Sequence, residues 1–113
     1  RLIDMMGKMM AAFIVEELNT RRGHLVAEQA FMQEAIMDSR LRELADLYLH
    51  QQLESLMIAT ELFGSSNPRL DAELILMAMM SIEQRLLVHP EKISEEFVEA
   101  RMCNLLDKLL PRG

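Results

Sequence analysis

A chain of 113 residues, half of it apolar and 27% charged, is long enough for one packed core and too short for two. Leu, Met and Ala supply 40 residues against 13 of Ile, Val and Thr, which favours helices and nearly excludes a strand-rich sandwich or barrel. Twelve basic against 18 acidic residues give a net charge of −6, with no basic stripe and no Trp for stacking, so this stretch is not expected to grip nucleic acid itself.

Four breaks carrying turn or cap residues divide the chain, at residues 19–23, 37–39, 64–68 and 89–92. The first predicted helix runs from Leu2 to about Leu18, with Ile3, Met6, Met9, Met10, Phe13 and Ile14 recurring at spacings of three and four. The second runs from Arg22 to Met37. The third runs from Ser39 to about Phe63, capped by Asp38 or Ser39 and stopped by Gly64. The fourth starts at Asn67-Pro68, an N-cap followed by a proline whose missing N–H has no partner there anyway. It ends near Val88, where His89 is expected to cap the last carbonyls. The fifth starts at Ser94, carries Glu95 and Glu96 in its first turn, and ends near Leu110 before Pro111.

The fourth helix reads Leu-Ile-Leu-Met-Ala-Met-Met from Leu74 to Met80, with no polar residue. Such a helix is either enclosed by the other four or packs partly against another chain. The fifth adds a wide stripe of Phe97, Val98, Met102, Leu105, Leu106, Leu109 and Leu110. Together they predict a homodimer whose last two helices form a four-helix bundle, through Leu74, Met77, Ala78, Ser81, Phe97, Met102, Leu105 and Leu109. A monomer using the same faces as its core is the alternative.

Residues that could carry chemistry are few. His24 and Glu28 share a helix face, but two ligands do not make a metal site, and a solvated ion pair explains them. Cys103 sits deep in its helix, with nothing local to activate a thiol apart from Arg101, and reads as a packing residue. A single Cys fits a reducing compartment, and a cytoplasmic location is expected. No apolar run approaches 18 residues, so no membrane-spanning helix is expected. No nucleophile motif, phosphate loop or catalytic carboxylate pair stands out, so neither enzyme activity nor a metal or cofactor is expected.

The junction Met37-Asp38-Ser39-Arg40-Leu41-Arg42 resembles the "Arg-Asp-Pro-Glu-Leu-Arg"-like junction of tetracycline-repressor (TetR/AcrR) family transcriptional regulators, with Ser39 in place of the usual Pro. Asn67-Pro68-Arg69-Leu70-Asp71, an apolar helix, His89-Pro90 and a last amphipathic helix are similar to that family's two C-terminal helices. The resemblance spans about residues 2 to 110. It implies a five-helix effector-binding and dimerisation domain over residues 1–113. Operator DNA would be bound only by an N-terminal helix-turn-helix that nothing here matches. The implied function is a ligand-responsive regulator, expected to be a repressor. A free-standing helical homodimer without ligand is the alternative. Eleven Met residues, taken with the resemblance, place an apolar pocket between the first three helices, for a hydrophobic or amphipathic small molecule. Its expected lining is Met6, Met10, Glu28, Gln29, Met32, Gln33, Tyr48 and Gln52.

Overall fold

The computed structural model describes residues 1–111. Its helices are α1 (Leu2–Thr20), α2 (Arg22–Met37), α3 (Ser39–Leu62), α4 (Pro68–Val88) and α5 (Glu95–Leu109), with one 3-10 turn at Pro90–Lys92. There is no strand among the described residues, and no helix of theirs is long and apolar enough to cross a membrane.

The cap residues act as their types dictate. Asp38 accepts a hydrogen bond from the Arg40 N–H at 2.9 Å, Asn67 from Leu70 at 3.3 Å and Ser94 from Phe97 at 3.1 Å. At the end of α3, Gly64 takes a left-handed φ of 76°. Its N–H donates to Glu61 O and that of Ser65 to Thr60 O, so two free carbonyls are satisfied in a Schellman turn. Two junctions differ from expectation. The break at residues 19–23 shrinks to Arg21 alone, and Gly23 lies inside α2. At the end of α4, the side chain that meets a free carbonyl is Arg22, donating to Leu87 O at 2.9 Å, while the His89 ring turns to Glu91.

The most extensive packing joins α1 to α5. The buried stripe of α1 is Ile3, Gly7, Ala11, Ile14 and Leu18, and it meets Val98, Met102 and Leu106 of α5 in one core with Leu25, Ile75, Ile82 and Leu86. This corrects the rotation expected for α1. Met6 and Met10 only flank the core, while Met9 and Phe13 are exposed. Gly7 and Ala11 lack bulk, so a second helix can approach there most closely, and the larger Met side chains are turned aside.

A smaller cluster, Leu53, Ala72 and Leu76, joins α3 to α4. Beside this pair sits Thr60, a fully buried polar residue whose hydroxyl lies 3.0 Å from Met57 O and 2.9 Å from Pro68 O. The second contact ties the end of α3 to the first residue of α4. Thr60→Val keeps the shape and removes the donor, so urea denaturation should show a loss of about 1 kcal/mol.

The Cα envelope is a slab of 42 × 32 × 17 Å with a radius of gyration of 14.6 Å. A compact chain of this length has about 13 Å. The flattening leaves α4 open on one side, where Leu70, Leu74 and Met77 stay exposed.

Candidate functional site

A partly open cavity of about 390 Å³ lies between α1, α2, α3 and α4. Helical periodicity brings its lining together. His24, Glu28 and Met32 share one face of α2, Tyr48, Gln52 and Ser55 one face of α3, and Leu76, Met80 and Glu83 one face of α4. From α1 come Phe13 and Glu17, and Arg21 adds its side chain from the junction.

Of the eight residues expected to line a pocket, Glu28, Gln29, Met32, Tyr48 and Gln52 do so. Met6 and Met10 do not, because they pack against the core shared with α5. Gln33 is exposed and outside the lining, one step around α2 from Met32. The cavity also reaches α4, which the expectation left out. Glu83 was legible there in principle. It follows Leu76 by seven residues and Met79 and Met80 by four and three, which puts a carboxylate on an apolar helix face.

Three carboxylates line this apolar space. Glu28 accepts a hydrogen bond from the Tyr48 hydroxyl at 2.5 Å and stands 3.0 Å from His24 Nε2. Glu17 Oε1 lies 3.5 Å from the half-exposed Arg21 guanidinium. Its Oε2 is buried and receives no hydrogen bond from the described residues. Glu83 has no ion-pair partner within 4 Å among the described residues. Burial, then the charges of Glu28 and Glu17, push its carboxyl up to about 7. Burial and the bond to Glu28 raise the Tyr48 hydroxyl to about 12, so it stays a donor at neutral pH. No group of three or more His, Cys, Asp or Glu among the described residues is arranged to hold a metal ion.

The residues expected at a dimer interface separate into three groups. Leu74, Met77 and Ser81 form an exposed row on α4, and Met77 is 64% exposed. Ala78, Phe97, Leu105 and Leu109 are half-buried, with Arg101 stacked 3.5 Å from the centre of the Phe97 ring. Met102 is 0% exposed and belongs to the chain's own core, which removes it from any such surface. It follows Val98 by one turn on the α5 face that meets α1, whereas a sequence stripe alone cannot separate the two sides of a wide apolar face. Met77 also borders a wider, shallower groove between α3 and α4 with Leu47 and Leu53.

No protein-family model matches the chain, and no characterised protein is similar enough to it to count as a match.

Proposed function

We propose that this chain is the effector-binding and dimerisation domain of a TetR-like transcriptional regulator, and that the cavity between α1, α2, α3 and α4 holds the effector. The carrying observation is that cavity. It has apolar walls and a few convergent polar groups on four helices, the usual composition of a small-molecule site. The junction residues Asp38-Ser39-Arg40 and Asn67-Pro68 support the family reading, since they cap α3 and α4 where the resemblance places those helices. The exposed row on α4 supports the dimer.

In this reading the ligand undergoes no chemistry. It binds one of two conformations better and shifts their population by that difference. The helix α1 is the coupling element. Phe13 and Glu17 near its C-terminal end line the cavity, while its N-terminal half packs on α5. A DNA-binding segment preceding α1 would follow its tilt, and a coupling of about 1–3 kcal/mol would change operator affinity roughly 5–150-fold.

The test uses a neutral fluorescent probe, N-phenyl-1-naphthylamine. Binding to the wild-type chain and its loss in Gln29→Trp, which fills the cavity, is the expected result. Equal binding by both proteins, or by neither, would overturn the reading. The dimer is tested separately by sedimentation. The wild type should sediment at twice the chain mass and Met77→Asp at the chain mass. Met77 is mostly exposed within one chain, so an aspartate there leaves the fold intact and reports only on the partner contact. A wild type that sediments at the chain mass sinks the dimer.

A further inference from the structure

We infer that the cavity selects a lipophilic monocation, an apolar body of aromatic or alkyl groups bearing one positive charge. This rests on the reading of the cavity as a small-molecule site and names the chemical class of its ligand.

The walls and the charges are in the same space. Phe13, Met32, Leu56, Leu76 and Met79 provide apolar and polarizable surface, and Met adapts its shape to what it meets. Glu17, Glu28 and Glu83 come from three different helices and open onto that surface. Against them stand one guanidinium, Arg21, which is half-exposed, and the His24 ring, also half-exposed. Glu28 is already engaged by Tyr48 and His24. The remaining two are under-compensated. Glu17 Oε2 is buried without a hydrogen-bond donor, and Glu83 has no cation within 4 Å among the described residues.

A buried carboxylate without a partner is costly, and a ligand that supplies the missing charge recovers that cost on binding. An anionic ligand would meet three like charges and is disfavoured by the same field. A neutral ligand could fill the walls but would leave Glu17 and Glu83 as they are. The carboxyl of Glu83 loses its proton near pH 7, so it is charged at pH 8. Aromatic faces such as that of Phe13 also attract a cation, most strongly where it is desolvated.

The test compares tetraphenylphosphonium with tetraphenylborate, ions of nearly the same size and shape and opposite charge, by calorimetry at pH 8 in sodium buffer. Tetraphenylphosphonium should bind at least about tenfold more tightly, a difference of about 1.4 kcal/mol. Glu17→Gln and Glu83→Gln should each weaken tetraphenylphosphonium roughly three- to tenfold and strengthen tetraphenylborate, because each removes one unit of charge and keeps the shape. A variant that merely damages the cavity would weaken both ions together. Equal affinity for the two ions, while N-phenyl-1-naphthylamine still binds and Gln29→Trp still blocks it, overturns the charge inference and leaves the cavity reading standing. Loss of all three ligands overturns both. Tetraphenylphosphonium binding that ignores the two Gln variants also overturns the inference, since the ion would then be held elsewhere on an acidic surface.

Discussion

Glu83→Gln should stabilise the chain by about 1–3 kcal/mol at pH 8, and the gain should shrink below about 1 kcal/mol near pH 4.5. The folded chain holds the Glu83 proton up to about pH 7, because the side chain is partly buried and faces the charges of Glu28 and Glu17. An unfolded glutamate releases its proton near 4.3. Between these values Glu83 binds more protons in the native state than in the unfolded state, so its own contribution to stability is greatest below about 4.3 and falls as pH rises to about 7. Glutamine removes that loss. The groups facing Glu83 across the cavity are Glu17 and Arg21 from α1 and the junction, His24 and Glu28 from α2, and Tyr48 from α3. They are the same in both proteins, so the difference isolates position 83. Urea denaturation of both proteins at several pH values measures it. Parallel curves would mean that Glu83 is solvated and that the field of three carboxylates is weak. The same field is what the proposed cationic ligand would use, so a lost stability and a binding preference have one physical origin.

Gly7→Ala should destabilise by about 1–3 kcal/mol, although alanine is the better helix residue by about 1 kcal/mol. A Cβ on residue 7 would stand 2.3 Å from Cys103 Sγ and 3.4 Å from the Cys103 backbone. A cysteine side chain has a single rotatable bond, and Cys103 Sγ lies against Gly7 and 4.0 Å from Asp4 O, so the thiol must leave its rotamer to admit a methyl group. The clash therefore outweighs the helix propensity. Cys103→Ala removes the sulfur and vacates the space that the new methyl group needs. In that background Gly7→Ala should be neutral or stabilising. The coupling between the two sites should be about 1–3 kcal/mol, read from the thermal unfolding of the four proteins. Additive effects would show that α1 and α5 can separate freely, and then α1 could not act as a rigid lever between the cavity and the α5 seam. The thiol's own titration supports its inert role, since burial and the nearby acids Glu99 and Asp4 push it up.

Much of the candidate site was legible because helical spacing is a local property. Glu28, Gln29 and Met32 on α2, and Tyr48 and Gln52 on α3, are four or fewer residues apart and face the same way in any helix of that sequence. Met6 and Met10 were misplaced because hydrophobicity ranks Met above Gly and Ala. The seam of α1 is set by how closely a neighbour can approach, and Gly7 and Ala11 permit the closest approach. The α4 side of the cavity could not be placed, since Glu83 becomes a cavity residue only when α4 crosses α2 and α3.

The sequence by itself determined the five helices and the starts of the last three. Asp38, Asn67 and Ser94 carry the side-chain oxygens that cap the starts, and Gly64 alone among the residues at its turn takes a positive φ without cost. These are interactions across three or four residues, so no tertiary partner is needed to read them. The tertiary structure alone decided which face of each helix is inside. It sent Met102 into the core and left Met77 in solvent, although both belong to apolar runs. It also brought Glu17, Glu28 and Glu83, up to 66 residues apart in the chain (83 − 17), around one apolar cavity. Periodicity gives a helix its stripes, but the rotation of a helix about its axis is set by the neighbours it packs against, and here those neighbours are distant in sequence.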